Sequence, residues 1–386
     1  MANVRRRSTP AVSDPLPQKD LETLTLEEME GADSESLRVL VVRLSAMGDV
    51  IHGIPAIAAL RRERPNLQIG WLVEQRWMEL LCAHPPERLQ PRSELKPLVE
   101  WVHVSDFKGW RKDFSSSATW RDMTGCMREV RAMKYDVALD LQGAIRSAMA
   151  ARLSGARSRV GAAEPRELPA RRFYTALIAT PGAHVVEHAL SLASAVAGGD
   201  LTYEPPVFPQ DPATEAWADR FYSSIGFRRL AILNPGAGWG AKCWPAESYG
   251  EVARALAERG IAVMVNFGPD EEQLAQQVRD VSGAVARPVS CSVSELIALT
   301  RRTSLFVGGD TGPMHLAAAL GVPTVALFGP TRPERNGPYA TRSVILRSPE
   351  SIDNRSHTNQ PDAGLHSIKP EQVMAAADEL LKELDA

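Results

Sequence analysis

A chain of 386 residues exceeds the roughly 250–300 that one hydrophobic core usually serves, so two globular halves are expected. Its 44% hydrophobic and 24% charged content matches an ordinary soluble globular protein and excludes disordered and collagen-like classes; no run approaches the roughly 18 apolar residues of a membrane span, so any membrane contact is peripheral. The net charge of −3 hides an asymmetry: residues 37–206 carry 23 basic and 18 acidic side chains and residues 207–386 carry 17 and 21, so either the first half meets an anionic partner or the imbalance is chance.

Residues 1–36 mix a basic start, prolines and an acidic run without an apolar period, and read as a disordered extension. Arg5, Arg6 and Arg7 are followed by Ser-Thr-Pro and not by an apolar segment, so no secretion signal is expected. Cys82, Cys126, Cys243 and Cys291 are scattered without a C-x-x-C pair, which points away from a zinc site or disulfide framework and towards a reducing cytoplasm.

From Leu37 onwards short apolar runs alternate with helical stretches, the pattern of βαβ units and parallel sheets. Strands are expected at 39–44, 68–73, 101–104 and 137–141, with helices at 50–64, 75–83, 119–133 and 184–197. A Pro-rich stretch near 200–212 divides a domain over 37–206 from one over 207–386. The alternation then restarts, with strands at 229–234, 261–267, 304–308 and 323–328 and helices at 246–259, 269–282, 292–302 and 312–320. Val373, Ala376, Ala377, Leu380, Leu381 and Leu384 form one stripe of a terminal amphipathic helix starting at Pro370. Two open α/β domains of this kind bind ligand at the carboxyl ends of their strands, in the cleft between them.

Three strand-to-helix turns carry chemistry. Leu44-Ser-Ala-Met-Gly-Asp-Val-Ile-His places Asp49 near the positive end of a helix, either as a cap or as a carboxylate able to take a proton from a substrate hydroxyl. Leu233-Asn-Pro-Gly-Ala-Gly-Trp-Gly-Ala-Lys offers Gly236, Gly238 and Lys242 as a cradle for phosphate oxygens, or is a glycine-rich connector; it has neither P-loop nor G-x-G-x-x-G spacing. Phe306-Val-Gly-Gly-Asp-Thr-Gly-Pro-Met-His sets Asp310, Thr311 and Gly312 at a helix start that suits an anion; the alternatives are caps at Asp310 or Thr311 and a core histidine at His315. Glu271, beyond another strand, either receives ribose hydroxyls or complements a helix N-terminus. No Asp-x-Asp triplet occurs, so a catalytic divalent metal is not implied, and no cofactor is expected.

Taken in order, these residues resemble glycosyltransferase family 9, the lipopolysaccharide heptosyltransferases, from about Val39 to the terminal helix. Ser-x-Met-Gly-Asp-Val-x-His together with Trp71-Leu-Val-Glu is most similar to the heptosyltransferase I branch, while Asp-Thr-Gly-x-x-His-x-x-Ala-Ala-Leu and Phe-Gly-Pro-Thr resemble the family more broadly. The resemblance implies a GT-B fold, two Rossmann-like open parallel-sheet domains facing a cleft, the first binding acceptor and the second the nucleotide sugar. It implies inverting transfer of a heptose from ADP-heptose to the Kdo region of lipid A, at the inner face of the inner membrane. Asp49 then matches the base, Lys242 the lysine facing the donor phosphates, Glu271 the ribose acid, and Asp310, Thr311, Gly312 and His315 the donor motif. Ala237 and Gly238 stand where a hydroxyl pair is expected, leaving backbone N–H groups for those donor contacts. Lys108, Arg111 and Lys112, in Phe107-Lys-Gly-Trp-Arg-Lys-Asp-Phe, resemble a basic acceptor-side segment, with Trp110 and Phe114 as interfacial anchors; the alternative is ordinary solvated surface. Gln142 and Arg146 resemble a second acceptor-side motif. A sugar-nucleotide epimerase of the same fold, or a family 9 transferase with another donor, are the competing readings.

Overall fold

The computed structural model describes residues 37–353 and 360–382, so the extension expected over 1–36 and Leu384 of the terminal stripe lie outside the described residues. The first sheet contains β1 (Arg38–Val42), β2 (Gln68–Glu74), β3 (Trp101–Ser105), β4 (Val137–Asp140), β5 (Ser158–Ala162) and β6 (Ala176–Ile178), in the order β3-β2-β1-β4-β5-β6. The second contains β7 (Leu230–Asn234), β8 (Ala262–Phe267), β9 (Ala286–Ser290), β10 (Leu305–Gly309), β11 (Thr324–Phe328) and β12 (Ser343–Arg347), in the order β12-β11-β10-β7-β8-β9. Counted from its own first strand, each sheet has the same doubly wound 3-2-1-4-5-6 order, and its pairings are parallel. These are the two Rossmann-like halves of a GT-B fold. The winding reverses between β1 and β4 and again between β7 and β10, and such reversal points open a crevice at the strands' carboxyl ends.

The central strands announce themselves in sequence because both of their faces are covered: Val39–Val42 and Leu230–Asn234 are buried throughout, as continuous apolar runs require. The outer strands β5, β6, β9 and β12 escape that reading. They are only partly buried, and β9 carries Pro288, which an edge strand tolerates. Helices at Phe107–Lys112, Ile145–Leu153 and Pro212–Ser224 also go unanticipated, and the helix expected over 75–83 is a short 3-10 segment, Gln75–Leu80.

Helix Met47–Glu63 is buried from Met47 through Leu60 except at Asp49. It packs on its own sheet and on helix Val185–Ala197, and meets helix Gly312–Ala319 of the second half, so Ile51 and Ile54 share one core with Ile297 and Leu316. The terminal helix Pro370–Lys382 buries Val373, Ala376, Ala377, Leu380 and Leu381 in the second half's core. The connecting stretch is pinned where Arg301 donates to the carbonyls of Phe208 and Pro209 at 3.2 and 3.0 Å. Among the described residues no helix is long and apolar enough to cross a membrane.

Candidate functional site

The chain leaves β1 through Arg43 and enters helix Met47–Glu63 four residues later, at the first sheet's reversal point. Arg43 ends an apolar run that is otherwise buried, and a buried guanidinium needs partners. It finds them in Asp49. Nη2 donates to Asp49 Oδ1 at 2.7 Å and Nε to the Asp49 carbonyl at 2.9 Å, while Nη1 reaches the Leu141 carbonyl just beyond β4. Asp49 Oδ2 accepts the Ala46 N–H at 3.0 Å. Asp49 is thus the cap that its position allows, and its side chain, 33% exposed, stays within reach of a ligand.

Gln142 and Arg146 come to the same turn from β4. Gln142 Oε1 accepts the Leu44 N–H at 2.8 Å, its Nε2 is buried without a partner, and Arg146 donates to Ser45 Oγ at 2.8 Å. Beneath them Asp140 is fully buried. Burial raises its pKa, against hydrogen bonds from Tyr174, Gln142, Ser147 and Gly143. Glu74, at the end of β2, is also buried; desolvation raises its pKa and the charges of Arg76 and Arg146 oppose the rise.

Lys108, Arg111 and Lys112 are exposed on helix Phe107–Lys112. The structure corrects the role expected of Trp110. Its ring is buried against Phe107, at 4.9 Å between centroids, and its indole N–H donates to Asp122 at 2.7 Å, so it cannot act as an interfacial anchor. The exposed aromatic pair here is Phe114 with Trp120.

At the second sheet's reversal point the glycine-rich loop following β7 folds against the Asp310 turn. Lys242 Nζ donates to Asp310 Oδ2 at 2.6 Å and to the Asp310 carbonyl at 3.1 Å, and lies 5.2 Å from the Trp239 ring centroid. His315 Nε2 lies 3.1 Å from Asp310 Oδ1. Burial opposes the charge on Asp310, but the hydrogen bond from His315 and the positive charge of Lys242 overcome it and hold the carboxyl well below the usual range. Asn234 donates to the Gly236 carbonyl at 2.9 Å and accepts from Asn266 at 2.6 Å, and its Nδ2 lies 3.5 Å from the Thr311 hydroxyl. Glu271 caps its own loop by accepting the Gly268 N–H at 2.8 Å and fills the space beside Gly236, where any Cβ would stand 2.2 Å from its carboxyl. Gly238 is exposed in open space.

The two turns touch. A Cβ at Gly48 would stand 2.3 Å from the His315 ring, and Gly312 faces Met47. Three imidazoles meet edge to face at this contact, His52 with His315 at 4.3 Å and with His184 at 5.4 Å between centroids. Desolvation lowers the pKa of His52 well below its ordinary value, helped by the charges of His315 and His184, and desolvation likewise lowers that of His184. Arg43, Asn234, Asn266, His52 and His184 were not singled out by sequence reasoning; for Arg43 the signal was available, as a charge closing a buried run.

Asp49 with Arg43 on one side, and Lys242, Asp310, Thr311 and His315 on the other, therefore converge where the halves meet. Lys108, Arg111 and Lys112 make no hydrogen bond within this cluster, although Lys108 and Arg146 both act on the buried Glu74 carboxyl beside it.

Residues 123–363 match the sequence pattern of Glycosyltransferase family 9 (heptosyltransferase). The chain is 31% identical over 320 residues to lipopolysaccharide heptosyltransferase 1 of Pseudomonas aeruginosa, covering 81% of this chain and 84% of that one. To lipopolysaccharide heptosyltransferase 1 of Escherichia coli K12 it is 27% identical, covering 81% and 94%. Among solved structures it is similar to a family 9 glycosyl transferase from Veillonella parvula, with TM-score 0.78, 25% identity and coverage of 91% and 99%. It is also similar to E. coli heptosyltransferase WaaC with ADP-2-deoxy-2-fluoro heptose, with TM-score 0.68, 25% identity and coverage of 89% and 99%.

Proposed function

The chain belongs to glycosyltransferase family 9 and is a glycosyltransferase, and from that premise we propose that it moves a heptose from ADP-heptose to the Kdo region of lipid A with inversion at the anomeric carbon. Membership of a transferase family closes the epimerase reading. The observation that carries the proposal is the abutment of the Asp49 turn against the Asp310–His315 turn, which sets a partly open carboxylate opposite a lysine and a helix N-terminus.

In this reading the first half binds the acceptor and the second half the nucleotide sugar. Asp49 takes the proton of the acceptor hydroxyl, whose oxygen attacks the anomeric carbon as the bond to the diphosphate breaks. Arg43 fixes the direction of the carboxylate by holding one of its oxygens and its carbonyl. Lys242 and the N–H groups opening helix Gly312–Ala319 stabilise the charge growing on the departing diphosphate. Gly236 and Gly238 contribute backbone N–H groups, Thr311 its hydroxyl, and Glu271, held against Gly236, receives the ribose hydroxyls. Gln142 braces the acceptor side through Leu44, and Arg146, beside Ser45, meets acidic sugar groups with help from Lys108, Arg111 and Lys112. The lipid-linked acceptor makes the protein a peripheral one at the cytoplasmic face of the membrane. Transfer needs no divalent ion, since lysine and helix end supply the positive charge.

The test is a donor and acceptor panel. The expected result is that ADP stabilises the protein against heating more than UDP or GDP does, and that ADP-heptose with Kdo-lipid A yields an inverted product in the presence of EDTA. Preference for another nucleotide would point to a different donor within the family. Loss of activity in EDTA with recovery in magnesium would contradict the metal-free mechanism.

A further inference from the structure

The outer face of helix Ile145–Leu153, close to the candidate site, carries a row of exposed apolar side chains. Ile145, Met149 and Leu153 recur every four residues and so share one stripe. They are 37%, 46% and 47% exposed, and Leu168 on the adjoining 3-10 segment Leu168–Phe173 is 66% exposed. The helix is inverted relative to ordinary amphipathic packing. Its small residues face inward, with Ser147 donating to Asp140 at 2.8 Å and Ala148 packed with Ala170 and Tyr174, which leaves the large ones outside. Isolated exposed apolar residues are ordinary, but a contiguous row marks a surface that something covers.

The surroundings identify what covers it. Arg152 on the helix, Arg166 just before the 3-10 segment, and Arg171 and Arg172 on it are exposed, and none of the four has an ion-pair partner among the described residues. Glu167, the acid nearest the helix start, is already occupied in accepting the Ile145 N–H at 2.8 Å. An apolar stripe fringed by free guanidinium groups complements a bilayer carrying anionic headgroups, the apolar residues entering the interface while the arginines meet phosphates. Two copies joined face to face would instead bring those arginines against one another.

We infer that this face, and not Trp110, docks the protein on an anionic lipid surface. The inference rests on the lipid-linked acceptor proposed above and gives it a position. Arg146, the second residue of the helix, holds Ser45, four residues before Asp49, so docking here brings the first sheet's reversal point to the headgroups that would present the acceptor.

The full chain is tested by co-sedimentation with phosphatidylcholine vesicles, with and without one quarter phosphatidylglycerol, at low and high salt. The variants are Met149→Glu/Leu153→Glu and Arg152→Glu/Arg171→Glu/Arg172→Glu, whose exposed positions leave the core untouched and whose folding is checked by melting. The wild type is expected to bind the anionic vesicles in a salt-sensitive manner, and each variant to bind at least tenfold more weakly. Transfer to vesicle-borne acceptor should fall in parallel, while transfer to a deacylated, water-soluble acceptor stays as in the wild type. Equal binding by wild type and variants, or equal binding to both vesicles at either salt, would overturn the docking face. So would a change from dimer to monomer in the Met149→Glu/Leu153→Glu variant with vesicle binding intact, since the face would then be a self-contact. Absence of transfer to either acceptor by the wild type would defeat the functional reading, leaving the vesicle result to judge the surface by itself.

Discussion

Each reversal point presents one aspartate to the contact between the halves, and the two are set very differently. The Asp49 side chain is 33% exposed and paired with one arginine at 2.7 Å. The Asp310 side chain is 5% exposed, with Lys242 at 2.6 Å on one oxygen and His315 at 3.1 Å on the other. A buried carboxylate held by Lys242 on one oxygen and His315 on the other is a fixture that orients both side chains. One that is partly open, and held by a single arginine, keeps capacity for an incoming hydroxyl. On the reading proposed above, the same strand order yields a scaffold on the donor side and a reactive group on the acceptor side, depending on what the neighbouring turn contributes.

The largest effect expected from this contrast is on stability. Asp310→Asn removes the counter-charge of the largely buried Lys242 and disturbs the hydrogen bond with His315, and should cost about 3–5 kcal/mol in denaturant unfolding, as broken buried pairs do. A loss below about 1 kcal/mol would place Asp310 in the same class as Asp49.

Lys242→Ala sharpens the donor side. It should weaken ADP binding on the order of tenfold in calorimetric titration and slow transfer, because one charge serves ground and transition states alike. Unchanged affinity together with unchanged turnover would remove Lys242 from the site.

A smaller effect is expected from pH at the contact itself. His52 and His184 have lowered pKa values in the folded protein, while in the unfolded chain they protonate near 6.5. As pH falls, the unfolded state takes up protons first. The stability they contribute is therefore complete above about 6.5 and is lost as pH falls towards the lowered values, by at most about 1.4 kcal/mol per pH unit for each histidine. Asp310 adds to acid sensitivity only below the ordinary carboxylate range, since its own pKa is lowered. Melting temperatures that stay level between pH 7.5 and 5.5 would mean the imidazoles are solvated and the halves stand apart.

The fold was legible where burial on both faces writes an unbroken apolar run, as in β1, β4, β7 and β10, and these are the strands that flank the reversal points. It was less legible at β9 and β12, where partial exposure dilutes the pattern, and in helix Ile145–Leu153, whose inward residues are alanine and serine and whose large residues face outward. The candidate residues on the turns could be read because glycine, aspartate and lysine cluster directly after those runs. What could not be read were partners brought from afar, such as His184 against His52 or Asn266 against Asn234, because nothing local marks them. Trp110 shows the converse error: a tryptophan among lysines resembles an interfacial anchor until Asp122, 12 residues on, is seen to take its N–H.

The central claim is that the Asp49 carboxylate takes the acceptor's proton, while its contacts with Arg43 and the Ala46 N–H are ones an asparagine oxygen can keep. Asp49→Asn tests this directly, with transfer, ADP affinity and melting temperature measured on one preparation. The account predicts transfer lowered on the order of 10²-fold or more while ADP affinity and melting temperature stay close to those of the wild type. Near-normal turnover in that variant would contradict it.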